Sequence, residues 1–153
     1  MEPRLEYVKL APEGYRALAQ LQRYVDGTGL EPLLLELVKM RASQINGCAY
    51  CIDMHTKDAR AAGETEGRIY ALNAWRETPF FSDRERAALA WTEAVTRIGD
   101  GVSDALFAEA SGQFSEKELA DLTWAVAAIN AWNRVAISFR SVPGVYQPKN
   151  PSN

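Results

Sequence analysis

Apolar residues recur three and four positions apart along nearly the whole chain, and stretches alternating with period two are missing. No run of β-branched residues alternates, and no Asn-Gly turn joins two such runs, so the pattern predicts helices throughout. Helices are expected over Pro12–Tyr24, closed by Asp26-Gly27-Thr28-Gly29, over Glu31–Gln44, stopped by Asn46-Gly47, and over Cys48–Ala62, stopped by Gly63. A fourth runs from Thr65 to about Arg76. Ser82-Asp83-Arg84-Glu85 and Ser115-Glu116-Lys117-Glu118 are capping boxes, which open helices reaching about Ile98 and Arg140. A short helix over Ser103–Ser111 lies between them. Pro143 and the polar tail Gln147–Asn153 read as a frayed end. The expected architecture is an all-α, single-domain bundle of six to seven helices spanning 1–153, with no linker or internal repeat.

The last helix is apolar nearly all round, with Leu119, Leu122, Trp124, Val126, Ile129, Trp132, Val135, Ile137 and Phe139. Such a helix needs partners on several sides. A second subunit and the centre of a monomeric bundle both supply them. Asn130, Asn133 and Arg134 share one face of it. Interhelical hydrogen bonds are the ordinary use of such residues; a site or an interface is the other.

Composition narrows the partners. The 153 residues are 47% hydrophobic with a net charge of -3, and the Lys and Arg residues are scattered. Without a basic stripe, neither nucleic acid nor an anionic membrane is an expected partner. Met1–Glu6 is polar, no apolar signal core follows it, and no segment has the roughly 18 apolar residues of a membrane span. A cytoplasmic protein is expected. There a close cysteine pair points to redox or metal chemistry more than to a structural bridge.

The candidate chemistry sits in the stretch QINGCAYCIDMH, residues 44–55, which holds both cysteines and the single histidine. With Cys48 in the first helical turn, Cys51, Ile52, His55 and Ala59 fall on the same inward face, and Asp53, Lys57 and Arg60 on others. Thiols three residues apart on a helix have Cα atoms about 5 Å apart, so a disulfide can open and close with little backbone movement. The helix N-terminus favours an anion and lowers a thiol's pKa. His55 is the one imidazole available for acid–base work. If the second and third helices form an antiparallel hairpin about Asn46, Glu36 lies ten residues before the turn and His55 nine after it. Both then stand roughly 15 Å from the turn, at one height.

Taken singly, these residues read as a satisfied core histidine, a solvated edge glutamate and two small hydrophobes. Jointly they favour chemistry. A thioredoxin-like CxxC would follow a strand, and attached c-type haem would need histidine where Ile52 stands. Zinc held by Cys48, Cys51, His55 and Glu36 remains an alternative.

Glu36, twelve residues before Cys48-x-x-Cys51-x-x-x-His55, resembles the motif of the AhpD-like alkylhydroperoxidase group of the carboxymuconolactone decarboxylase superfamily. The approach Met40-Arg41-Ala42-Ser43-Gln44-Ile45-Asn46-Gly47-Cys48 and the later Ile129-Asn130-Ala131-Trp132-Asn133-Arg134 are similar to that family as well. The resemblance covers about residues 31–140. It implies an all-helical subunit that assembles as trimers or hexamers. It implies reduction of a peroxide, an alkyl hydroperoxide or hydrogen peroxide, by a cysteine pair with no cofactor, neither metal nor flavin. By the same resemblance Cys51 attacks, Cys48 resolves, Glu36 and His55 relay protons, and a lipoyl or thioredoxin-like dithiol protein donates electrons. Tyr50 departs from the pattern, since some peroxidase members have a histidine between the cysteines; a weaker relay would favour plain thiol–disulfide exchange. Decarboxylases of the superfamily generally lack the cysteine pair, so decarboxylation is a poor reading. The competing class is a non-enzymatic helical oligomer whose Cys/His cluster senses oxidation or binds zinc.

Overall fold

The structure, a computed structural model, describes residues 1–148, so part of the polar tail, residues 149–153, lies outside the described residues. Eight α-helices follow one another: α1 Tyr7–Leu10, α2 Pro12–Asp26, α3 Pro32–Asn46, α4 Ala49–Ala61, α5 Glu66–Ala71, α6 Asp83–Thr96, α7 Asp104–Ser111 and α8 Glu116–Phe139. Among the described residues there is no strand. Both capping boxes form, Ser82 with Glu85 and Ser115 with Glu118. Pro12 and Pro32 open α2 and α3, where a missing N–H costs nothing. Among the described residues no helix is long and apolar enough to cross a membrane.

Two boundaries differ from the periodicity. The helix expected from Thr65 to Arg76 ends at Ala71, and 3-10 turns over Leu72–Glu77 follow, broken at Ala74 with φ -116° and ψ 31°. The tighter path buries Leu72 and Trp75, which face the α3 side chains Leu37 and Met40 in one cluster. The four-residue α1 is too short to carry a periodic signal. It is held by tertiary contacts: Arg4 donates to the Phe139 carbonyl through its backbone N–H (2.9 Å) and to the Ser138 carbonyl through its guanidinium (3.0 Å). The Tyr7 and Phe139 rings stack at 5.4 Å.

Helix α3 is the hub and packs against α4, α6 and α8. Leu34, Leu35 and Val38 join Leu122, Ala125 and Val126 of α8 in the largest core cluster. Each such side chain contributes about 1.5–3 kcal/mol by leaving water. Helix α8 buries Leu119, Leu122, Ala125, Val126, Ala128, Ile129, Asn133 and Ala136, while Trp124 (52%) and Ile137 (43%) remain exposed.

The polar residues of α8 make interhelical hydrogen bonds. Asn46 Nδ2 donates to Asn130 Oδ1 (3.0 Å) and Asn133 Oδ1 (2.8 Å), Asn133 Nδ2 donates to Ser43 Oγ (3.0 Å), and Asn130 Nδ2 donates to Thr96 Oγ1 (3.0 Å). Among the described residues Arg134 reaches only back to Asn130. These bonds clamp the end of α3. Gly47 follows with φ 71°, a left-handed conformation that ends α3 and turns the chain into α4. The cysteine segment therefore starts from a fixed point.

Candidate active site

Cys48 is the N-cap of α4 rather than a residue of its first turn, and its Sγ accepts the Cys51 backbone N–H at 3.4 Å. The two thiols are joined as a disulfide with Cα atoms 5.4 Å apart, and both residues are 1% exposed. Cys51 lines a cavity of about 410 Å³ together with His55, Lys39 and Asp58; Cys48 does not. Tyr7, Tyr15, Tyr50 and Trp132 form much of its remaining wall.

Helices α3 and α4 bring Glu36 and His55 together, with 2.8 Å between Glu36 Oε2 and His55 Nδ1. Glu36 is not a solvated edge residue: its side chain is 13% exposed, and its other oxygen accepts from Lys39 Nζ at 2.9 Å. Lys39 is itself buried and also reaches Asp26 Oδ1 at 3.4 Å. Burial pushes the Glu36 pKa up, but the hydrogen bond from His55 and the charges of His55 and Lys39 outweigh it, so the carboxyl stays below its ordinary value. Burial likewise pulls Lys39 down, and Glu36 and Asp26 more than restore it. An ionised Glu36 requires His55 Nδ1 to be the donor, which leaves Nε2 as the basic nitrogen of neutral imidazole.

Asp58 was not singled out by sequence. It lies three residues after His55 on the same face of α4, as Lys39 lies three after Glu36 on α3, so helical spacing held the signal for both. Burial raises the Asp58 pKa, against the hydrogen bond it accepts from Tyr146 O–H at 2.7 Å. The segment carrying Tyr146 lies along α4, where Lys57 Nζ donates to the Tyr146 carbonyl (3.0 Å) and the Gly144 N–H to Asp53 (2.9 Å). Neither Tyr146 nor Tyr7 is near these residues in sequence, so no local pattern announced them.

Glu36, His55 and Asp58 each offer a ligand atom within 4.8 Å of the others, a trio able to hold a divalent cation. It differs from the zinc set read from sequence: Asp58 replaces the two cysteines, which are bonded to each other here. The Lys39 ammonium beside Glu36 opposes a cation at that point.

The model of the carboxymuconolactone decarboxylase family matches residues 12–94, a span from α2 into α6 that contains Glu36, Cys48, Cys51 and His55. The chain belongs to this family. It is 42% identical over 139 residues to the uncharacterized protein YdfG of Bacillus subtilis, which covers 90% of this chain and 95% of YdfG. Its fold matches the crystal structure of a protein of unknown function from Agrobacterium tumefaciens, named there as a candidate antioxidant defence protein AhpD. That match has a TM-score of 0.91 at 43% identity and covers 95% of this chain and 100% of the other. The debrominase Bmp8 shares the fold alone, with a TM-score of 0.81 at 21% identity over 90% of this chain and 75% of Bmp8. The chain is thus an AhpD-like member of a family whose fold serves more than one chemistry.

Proposed function

We propose that this AhpD-like protein is a thiol-dependent peroxidase in which Cys51 attacks the peroxide, Cys48 resolves, and Glu36 with His55 carries protons. The observation that carries this reading is the asymmetry at the cavity: Cys51 and His55 line it, Glu36 backs His55 at 2.8 Å, and Cys48 stands outside it within bridging distance.

In the reduced protein Cys51 lies in the first turn of α4, where the helix dipole favours the thiolate. His55 takes its proton, and Glu36 stabilises the imidazolium through Nδ1–H. The thiolate attacks the outer peroxide oxygen. The S–O bond forms as the O–O bond breaks, and His55 returns the proton to the leaving alkoxide or hydroxide. Cys51 is now a sulfenic acid. The Cys48 thiol condenses with it, releasing water and forming the disulfide. A dithiol protein, lipoyl or thioredoxin-like, supplies two electrons and two protons by exchange and becomes a disulfide itself. A cytoplasmic setting would supply that donor. No cofactor enters any step.

The exposed Trp124 and Ile137 of α8 favour a homo-oligomer, a trimer or hexamer, as its assembled form. Sedimentation at micromolar concentration should give one of these masses rather than a monomer. The test of the activity is turnover of an organic hydroperoxide by reduced protein with a defined dithiol donor. Catalytic consumption matched by donor oxidation is the expected result, and consumption no faster than the donor alone rejects it. A second reading, a zinc-binding redox sensor, draws on the Glu36, His55 and Asp58 trio. Stoichiometric zinc in protein purified without chelator, together with no turnover, would favour it.

A further inference from the structure

The protein has six tyrosines, and they divide into two groups. Tyr24, Tyr70 and Tyr146 donate their hydroxyls to Asp121, Glu66 and Asp58. Tyr7, Tyr15 and Tyr50 line the Cys51 cavity, and among the described residues their hydroxyls have no protein partner, so the cavity is edged by free O–H groups. The three come from α1, from α2 and from α4 between the cysteines. Burial raises the pKa of Tyr50, and the nearby phenols of Tyr7 and Tyr15 raise it further, so the Tyr50 hydroxyl keeps its proton.

The space is ill-suited to hydrogen peroxide. A water molecule takes about 30 Å³ of the liquid, so the cavity of about 410 Å³ would hold a small peroxide loosely. A saturated alkyl group would fill the volume but would strip water from three phenol hydroxyls and return no hydrogen bond. Tyr15 and Trp132 meet edge to face with centroids 5.6 Å apart, leaving aromatic surfaces against which a flat ring can lie. The fitting occupant is flat, apolar in its body and oxygen-bearing at its edges.

We propose that Tyr7, Tyr15 and Tyr50 form a phenol-lined subsite beside Cys51 that selects an aromatic hydroperoxide carrying a second oxygen function, a ring hydroxyl or carbonyl, over hydrogen peroxide and saturated alkyl hydroperoxides. This rests on the peroxidase reading and names its substrate class. Tyr50 stands next to the attacking cysteine and donates a hydrogen bond to the leaving oxygen, while His55 supplies the proton. Tyr7 and Tyr15 hold the second oxygen function.

The test uses reduced full-length protein and follows disulfide formation with 4-hydroxycumyl hydroperoxide, tert-butyl hydroperoxide and hydrogen peroxide. Wild type should react with the first at least tenfold faster, as a second-order constant, than with either other. Tyr→Phe exchange at 7, 15 and 50 keeps every ring and removes only the hydroxyls. The triple variant should lose that ratio at least tenfold, with Tyr7→Phe and Tyr15→Phe carrying the loss and Tyr50→Phe slowing all three peroxides together. Binding of 4-hydroxybenzyl alcohol to oxidised protein, by calorimetry, should weaken at least tenfold in the triple variant, while that of cyclohexylmethanol should not. Equal rates for the three peroxides, or a preference that survives in the triple variant, would overturn this inference and leave the peroxidase reading standing. Failure of every peroxide to oxidise the pair would overturn both.

Discussion

Glu36 on α3 is a largely enclosed carboxylate and Glu93 on α6 a buried one, both held by cations and both kept ionised against burial. Their surroundings differ in kind. Glu93 accepts from Arg41 Nε (2.8 Å), Trp75 Nε1 (2.9 Å) and Arg76 Nη1 (2.6 Å), and Arg41 is fixed in turn by Asn73 (2.7 Å) and Gln44 (3.1 Å). None of those donors changes charge near neutral pH, since guanidinium and indole keep their protons. The cluster is a clasp that ties α3, α6 and the 3-10 segment together. Glu36 instead holds an imidazole, the one side chain that titrates near neutrality in its unperturbed state, and that imidazole lines the cavity with Cys51. Ionisation and burial alone do not distinguish a structural acid from a proton relay; the partner's ability to give up a proton does.

The comparison breaks most sharply at Cys51, the thiol that the proposed function assigns to the Glu36–His55 pair. Cys51→Ser should abolish peroxide consumption. Cys48→Ser should permit one stoichiometric turnover and leave a sulfenic acid at Cys51, trapped by a dimedone adduct and read by mass spectrometry. The reverse pattern would exchange the two roles.

Next come the two carboxylates. Glu36→Gln and His55→Gln should each slow peroxide-dependent disulfide formation by roughly 10²–10⁴, and the double variant should lose little more, because the pair acts as one unit. Glu93→Gln, with its fold checked by circular dichroism, should react within about threefold of wild type, the small effect expected away from the reacting groups. A Glu93 variant as slow as the Glu36 variant would erase the distinction.

Stability should rank them in the opposite order. Removing Glu93 leaves Arg41 buried without its counter-charge, a loss of about 3 kcal/mol in urea denaturation at pH 7. Glu36→Gln should lose about 1–2 kcal/mol, since Lys39 keeps Asp26 as a partner.

The smallest effect is on acid stability. Both carboxyls lie below their ordinary value of 4.5 in the folded protein. Each therefore contributes stability that is present above the unfolded value and lost as pH falls through the folded one. Denaturation midpoints should drop as pH is lowered from 4.5, and drop less in either Gln variant. Parallel curves for wild type and both variants would show that neither carboxyl is linked to folding.

The Glu36–His55 pair was legible in advance because α3 and α4 form a hairpin through Gly47, so counting residues from Asn46 sets both heights. The same count says nothing of burial. It left Glu36 as an edge residue, whereas Lys39 and α4 enclose it. The alternative zinc set of Cys48, Cys51, His55 and Glu36 omits Asp58, although Asp58 follows His55 by one helical step. The Glu93 clasp gave no sequence signal: Arg41, Asn73, Trp75 and Glu93 come from three elements with no common period.

What the sequence determined by itself is local. Apolar spacing, two Ser–Glu capping boxes and glycine stops set the helices, and CxxC at a helix start set His55 one turn beyond Cys51. These features depend on neighbours three or four residues away, where helix geometry fixes position. Tertiary structure decided which cysteine meets the cavity, that Asn46 is clamped by α8 84 and 87 residues later, and that Tyr146 caps Asp58 from 88 residues away. It also brought Tyr7 from α1 to the wall of the same cavity. Those contacts depend on how helices cross and where the chain ends lie down, which the packing of whole faces settles and no short period records.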